Sequence, residues 1–341
     1  MAPIEGGSVG PAKSPRASEE ERPDAESISL DVSIIIANYN TRDLLRGCLA
    51  SIYENPPRSS FEVIVVDDAS RDDSAEMVRE IFPRVRLRVN KVNGGYARAN
   101  NWAMHHAYGR HLYLLNSDAV LLPGAVDKLV EFLDTHGRAG AAGSLLLNGD
   151  GTVQASVKAL PSIRSAFVGK RSWLHRLFPG SPLTRRELLH VHAERDETPF
   201  KAGYVSSASI MVPRDVGRKV GDLDTRLWHF IDADYCKRIW DAGREIYCVP
   251  AARVVHLEHK GGTLAGWRKR VWALYVFHRG AWIYHRKHSG HSLLSPASAL
   301  VGAALLVRFA LALALQAGRE ILGLDRHEYG TGAVNGRTGG R

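Results

Sequence analysis

Val32-Ser33-Ile34-Ile35-Ile36-Ala37 runs straight into Asn38-Tyr39-Asn40-Thr41. The first six residues are mostly β-branched and show no polar alternation, the pattern of a strand buried on both faces. Leu44, Leu45, Cys48, Leu49 and Ile52 then recur at helical spacing, and Asn40 or Thr41 can cap that helix. The pattern repeats downstream. Residues 61–66 predict a second buried strand closed by Asp67-Asp68, and residues 74–81 a helix. Residues 85–89 predict a strand, 97–107 a helix after the Gly94-Gly95 turn, and 111–115 a strand closed by Asn116-Ser117-Asp118, with a helix near 125–136. Such regular alternation of strand and helix defines an α/β chain with an open, largely parallel sheet.

Beyond Gly143 the alternation weakens. Residues 150–200, rich in Arg, Pro and Ser, predict long loops. Order returns with strands at 204–212, 245–249 and 253–256 and a helix at 233–242. Before this core, residues 1–27 are rich in Pro, Gly, Ser and Glu and lack an apolar core segment, which predicts a disordered leader rather than a signal peptide. Cys48, Cys236 and Cys248 form no C-x-x-C pair and sit among apolar residues, so they read as buried thiols in a reducing compartment.

The chain has 341 residues, 45% of them apolar and 24% charged, which excludes fibrous and wholly disordered classes. Its formal charge of +9 is concentrated at one end: from Leu264 onward, eleven Lys and Arg face only Glu320, Asp325 and Glu328. A local anionic partner such as a membrane surface accounts for that better than nucleic acid, for which no binding module is present.

Ligands of open α/β sheets bind at the carboxyl ends of the strands. Asn38-Tyr39-Asn40, Asp67-Asp68 and Asn116-Ser117-Asp118 all fall there, so one shared crevice is expected. Neither G-x-G-x-x-G after the first strand nor G-x-x-x-x-G-K-[ST] occurs, which argues against dinucleotide oxidoreductases and P-loop enzymes. A phosphorylated ligand bound without a glycine cradle commonly recruits Mg2+ or Mn2+, and Asp118 with Asn116 has the character of such a ligand pair.

Four blocks together resemble the opening motifs of family 2 glycosyltransferases: 32–40, Glu62-Val63-Ile64-Val65-Val66-Asp67-Asp68-Ala69-Ser70, Asn93-Gly94-Gly95-Tyr96-Ala97-Arg98-Ala99-Asn100-Asn101, and Leu114-Leu115-Asn116-Ser117-Asp118. The match is best to the rhamnosyltransferase-like branch of bacterial envelope and exopolysaccharide enzymes. The resemblance implies a GT-A fold, a Rossmann-like open mixed sheet flanked by helices, over about residues 31–290. It places Asn38, Asp67 and Asp68 at the nucleoside of a nucleotide-sugar donor, and Asn93, Gly94, Ala99, Asn100 and Asn116 along the donor pocket. Asp118 then matches the metal ligand of an N-x-D form of the D-x-D motif.

Residues 229–238 resemble the F-E-D-x-D-x-x-x-R element. Asp232 matches the general base, Asp234 and Arg238 stand in acceptor or supporting positions, and Ile231 replaces the usual Glu. Val254-Val255-His256, ahead of Gly261-Gly262-Thr263, resembles the V-V-H element whose His completes the metal site, with His259 the alternative if the register shifts. The expected activity is inverting, metal-dependent transfer of a sugar to a glycan, in particular a lipid-linked one, in cell-surface polysaccharide synthesis. A catalytically silent, sugar-nucleotide-binding scaffold is the rival reading, and Ile231 is its only support.

Residues 266–287 interleave Trp and Tyr with Arg and Lys, as a headgroup layer attracts. Residues 296–317 are long enough to cross a bilayer if helical. Arg308 near the middle would cost roughly 2.5–3.5 kcal/mol there, about what the Leu, Val and Phe residues return. The expectation is therefore a helix seated on or shallowly inserted into the cytoplasmic face of the cell membrane, peripheral or single-pass. Packing on the catalytic domain or in an oligomer interface is the alternative. The expected division is a leader over 1–29, the GT-A domain over 30–265, basic, aromatic and hydrophobic helices over 266–318, and a flexible tail over 319–341.

Overall fold

In a computed structural model of the chain, the residues described are 30–161, 197–257, 267–290, 292 and 295–321. The leader, the greater part of the 150–200 stretch, His259, the Gly261-Gly262-Thr263 turn and residues 322–341 lie outside them. The order is β1 (Leu30–Asn38), α1 (Arg42–Glu54), β2 (Phe61–Asp67), α2 (Ser74–Ile81), β3 (Arg86–Val89), α3 (Tyr96–His106), β4 (Gly109–Leu115), β5 (Ala119–Leu121), α4 (Ala125–Thr135) and β6 (Ala139–Leu147). There follow β7 (Val157–Lys158), β8 (Phe200–Lys201), β9 (Tyr204–Val205), β10 (Ser209–Pro213), α5 (Arg214–Val220), α6 (Ile231–Asp241), β11 (Glu245–His256), α7 (Trp267–His288) and α8 (Pro296–Ile321).

The main sheet has the order β3-β2-β1-β4-β10-β6-β11-β5, with β8 paired to β11. Strands β1 to β4 are mutually parallel, as their sequence predicts. The second half makes the sheet mixed, because β10 runs antiparallel to both β4 and β6, and β5 antiparallel to β11. Apolar continuity in the strands has a direct cause. In β1, Val32, Ile34 and Ile36 enter one core while Ile35 enters the other; in β2, Val63 and Val65 divide from Ile64 and Val66 in the same way. Helices α1, α2 and α4 cover the first face, and α3, α5 and α6 the second. A strand buried on both sides cannot alternate with polar residues.

Several elements depart from the sequence expectation. The 204–212 stretch is two strands, β9 and β10, and the expected strands at 245–249 and 253–256 are one, β11, with a register shift between Val249 and Arg253. Strand β6, Ala-Gly-Ala-Ala-Gly-Ser-Leu-Leu-Leu, is central to the sheet yet poor in β-formers. Close approach explains its composition: a Cβ on Gly143 would lie 2.6 Å from Val205 Cβ, and one on Gly140 would meet Ile239 and Arg244. All three cysteines are buried and free.

Helices α7 and α8 form an antiparallel pair. Arg270 pairs with Glu320 near one end, and Gly302 lies against Trp282 near the other. Arg308 sits over the Phe277 ring of α7, 5.2 Å from its centre. Helix α8 continues to Ile321, three residues into the stretch expected as tail.

Candidate active site

The carboxyl ends of β1, β2 and β4 meet where the strand order turns back on itself, the usual ligand crevice of such sheets. Asn38 donates from Nδ2 to Asp67 Oδ2 at 2.8 Å and to Ser70 Oγ at 3.2 Å, and its Oδ1 accepts from Thr41 Oγ1 at 2.6 Å. Thr41 Oγ1 in turn lies 2.9 Å from Ser117 Oγ, which ties the first strand end to the loop of Asp118. Asp67 Oδ1 accepts the Ser70 N–H. Asp68 accepts from Asn90 Nδ2 and the Gly94 N–H through Oδ1, and from the Gly95 N–H through Oδ2. Both aspartates are buried, and each of their oxygens already accepts a hydrogen bond from the chain. Their visible work is to shape the 90–95 loop and the Ser70 turn.

Around that frame lie two adjoining clefts, each about 480 Å³, that share Asn93. One is lined by the exposed Tyr39, Ser70, Arg71, Asn90 and Lys91, the other by Asn93, Gly94, Tyr96, Asn116, Ser207, Trp228 and Asp232 among others. Ala69 and Phe230 line these clefts, and Asn40 follows the lining Tyr39, all in left-handed backbone conformations with φ of 66°, 69° and 52°. Such conformations in non-glycine residues persist only where surrounding contacts impose them.

On the far side of the cleft, Asn116, Asp118 and His256 form one cluster. His256 Nε2 is 3.2 Å from Asp118 Oδ1 and 3.3 Å from Asn116 Nδ2. Gln154 clamps the imidazole, donating from Nε2 to the His256 carbonyl at 2.5 Å and placing Oε1 3.0 Å from Nδ1. With the ring proton assigned to Nδ1, Nε2 accepts from Asn116 Nδ2 and also faces the Asp118 carboxylate. Two electron-rich atoms so placed are compatible when a cation or a proton lies between them, so the donor set fits a divalent metal. Among the described residues no group of three or more His, Cys, Asp or Glu gathers to cage one. A two-residue set is what Mg2+ or Mn2+ takes when substrate phosphates and water fill the remaining positions.

Asp232 stands in the first turn of α6 and accepts its neighbour Ala233 N–H at 2.9 Å. Burial pushes its carboxyl above the ordinary aspartate range, against the Lys158 charge and backbone hydrogen bonds that favour ionisation. Asp118 and Asp232 both act on the buried Tyr96 hydroxyl, whose acidity burial suppresses first and the two carboxylates further; Tyr96 itself donates to the Ser207 carbonyl at 3.0 Å. Ile231, which stands where the resembled motif has Glu, is buried in the second core and borders the cleft beside Asp232.

Asp234 is fully buried and holds two cations, Arg238 at 3.1 Å and Lys287 at 2.8 Å, and the His288 ring nitrogen at 2.8 Å. Burial by itself would raise its pKa; the hydrogen bonds from His288 and Lys287 and the Arg238 charge outweigh that and lower it. Arg238 also donates to the carbonyls of Val220 and Asp222. This pair joins α6 to α7 and the 220–222 turn. Ala99 lies wholly inside the second core, so its value is small size rather than a contact with ligand. Asn100 is also buried; it donates to the Tyr96 carbonyl, and its Oδ1 is buried without a hydrogen-bond partner. Sequence reasoning passed over Gln154, Tyr96, Lys158 and Trp228. Gln154 and Lys158 fall in a stretch with no periodic signal, whereas Trp228, an aromatic just ahead of the 229–238 motif, offered one.

An open mixed sheet with helices on both faces and a cleft at its carboxyl edge is the architecture of the GT-A fold. Solved structures share the fold. The mannosyltransferase PcManGT of Pyrobaculum calidifontis, in complex with GDP-Man and Mn2+, superposes with a TM-score of 0.52 over 89% of this chain and 83% of its own, at 20% identity. S. aureus TarS in complex with UDP-GlcNAc gives 0.52 over 81% and 72%, at 15% identity. Residues 33–192 match the glycosyl transferase family 2 model. The N-acetylglucosaminyl-diphospho-decaprenol L-rhamnosyltransferase of Mycobacterium tuberculosis is 28% identical over 273 residues, 75% of this chain and 85% of that protein. Over residues 33–192 the chain is therefore similar to family 2 glycosyltransferases, and over most of its length to a rhamnosyltransferase.

Proposed function

We propose that this enzyme moves a sugar, with inversion, from a nucleotide-sugar donor to a hydroxyl of a lipid-linked glycan during bacterial cell-surface polysaccharide synthesis, at the cytoplasmic face of the cell membrane. The observation that carries the reading is Asp232, a carboxylate of raised pKa, lining the same cleft as Asn116 of the Asn116–Asp118–His256 cluster. The lipid-linked acceptor is supported by the substrate in the name of the M. tuberculosis relative.

In this reading the cleft of Tyr39, Arg71 and Lys91 receives the nucleoside, with Asn38, Asp67 and Asp68 holding its walls, and Asn93 marks the passage to the sugar. Asp232 accepts the proton of the attacking hydroxyl as the new glycosidic bond forms and the nucleoside diphosphate departs; a positioned base of this kind contributes about 10²–10⁴ in rate. A Mg2+ or Mn2+ ion held by Asp118 and His256 would supply positive charge against the departing diphosphate. Gln154 keeps the His256 lone pair aimed at that position.

The test is nucleoside diphosphate release from a panel of nucleotide sugars, with Mg2+, Mn2+ or a chelator. Release should require the metal, and Asp232→Asn should bind nucleotide normally while transfer falls by about 10²–10⁴. Transfer at an undiminished rate by Asp232→Asn would remove it as the base.

A further inference from the structure

Helix α7 contains six Lys and Arg and no carboxylate. Its Val276, Gly280 and Tyr284 are buried, and Phe230 packs on both Phe277 and Tyr284. Arg268, Trp272, Tyr275 and Arg279 succeed one another at spacings of four, three and four, which sets them on one face of the helix. All four are exposed, Trp272 at 42% and Tyr275 at 53%. The face reaches the catalytic cleft at one point: Trp272 stands edge-on to Trp228, ring centres 5.1 Å apart, and Trp228 lines the cleft with Asp232. Arg279 donates to the Arg226 carbonyl at 2.6 Å, which anchors its guanidinium to the loop that carries Trp228.

We infer that this face of α7 binds the diphosphate and the first isoprenyl units of the lipid-linked acceptor, with Trp228 against the acceptor sugar. The inference rests on the proposed transfer to such an acceptor. A sugar whose hydroxyl lies at Asp232 must direct its diphosphate out of the cleft, and the ring pair Trp228–Trp272 joins the cleft to α7. Guanidinium groups match phosphate oxygens in paired hydrogen bonds, and Arg279 spends one of its five N–H groups on the loop. Trp and Tyr between the arginines offer an apolar surface with polar edges, suited to the junction of a diphosphate and an isoprenyl chain. Helix α8, paired to α7, exposes Leu300, Val307, Leu311 and Leu315, where the remaining lipid would find a bilayer.

The full-length protein, in detergent, is titrated with farnesyl-diphosphate-linked N-acetylglucosamine and binding is followed by tryptophan fluorescence. Trp272→Ala and Arg268→Ala should each weaken binding about tenfold or more, as loss of one central contact does. Thermal stability and nucleotide-sugar affinity should not change, and Lys269→Ala, off the face, should bind as wild type. Sedimentation with phosphatidylcholine–phosphatidylglycerol vesicles separates this site from general attraction to anionic lipid, since the two variants should still sediment. Equal affinity for the acceptor in wild type and both variants, or a loss seen only with vesicles, overturns the inference. So does failure of the wild type to bind the probe while metal-dependent sugar transfer persists, a result that leaves the proposed activity standing.

Discussion

Asp232, the base of the proposed transfer, is also a cost to the fold. Its pKa is raised chiefly by burial, so the ionised form is disfavoured in the folded protein relative to the unfolded chain. Any stability the group contributes is present while it is protonated and is lost as pH rises through its folded value. Asp232→Asn, which is neutral and nearly isosteric, should therefore melt at the wild-type temperature or above it while losing transfer, a pairing common at active sites; a lowered Tm would contradict this account. For activity the sign is opposite, because the base must be ionised. The acid limb of the rate profile should lie above the ordinary aspartate value, which a pH series of kcat can locate. Gln154 makes a separate prediction. Gln154→Leu frees the His256 ring to rotate and should weaken Mn2+ binding by about 10–100-fold, as loss of such supporting hydrogen bonds does. Titration followed by electron paramagnetic resonance reads this without turnover.

Among the elements, α6 and α7 behave as one unit because Asp234 joins them. Asp224 adds to the joint: the Arg226 hydrogen bond, followed by those of the backbone and Lys287, holds its carboxyl far below the ordinary range despite some burial. Depressed carboxylates stabilise above their unfolded pKa, and that stability is lost as pH falls through the folded value. Asp224 and Asp234 should thus stay ionised through neutral pH, and their part of the α6–α7 contact should fail only in acid. Asp234→Asn leaves Lys287, Arg238 and His288 around a neutral amide and should cost about 3 kcal/mol. That is at the low end for a broken buried pair because Lys287 retains some contact with water; urea unfolding measures it. Strand β6 is the other element with a sharp dependence. Gly143→Ala pushes a methyl group into Val205 and should destabilise by roughly 1–3 kcal/mol, although alanine is otherwise no worse than glycine in a strand.

For the whole molecule the question is how the globular domain would meet the lipid-linked acceptor of the proposed reaction. Residues 296–320 form a helix long and apolar enough to cross a membrane, and hardly any of it is covered by the rest of the protein. Its pairing with α7 places Arg308 over Phe277, which lessens the cost that made insertion doubtful from sequence. Substituting Leu311→Asp together with Leu315→Asp should abolish sedimentation with phosphatidylglycerol-containing vesicles and leave the melting temperature unchanged. Each leucine placed in lipid is worth about 1.5–3 kcal/mol, so losing two exceeds a tenfold change in partitioning.

The first half of the fold and its edge residues were legible in the sequence because their signals are local. Unbroken β-branched runs can only be strands covered on both faces, and a polar cluster directly after such a run must fall at the carboxyl edge of the sheet. Asn38, Asn116 and Asp118 were read as edge residues on that basis, and Asp232 was singled out by resemblance alone. What only the tertiary structure decided was which partners those residues meet. Asn116 and His256 are 140 residues apart, and no periodicity announces Gln154 behind them. The strand role of the glycine- and alanine-rich β6 comes from the side chains of Val205, Ile239 and Arg244 that crowd it. Asp234, an acceptor or supporting residue by resemblance, is the joint to α7 because folding brings α7 back onto α6, and local propensity carries no record of that closure.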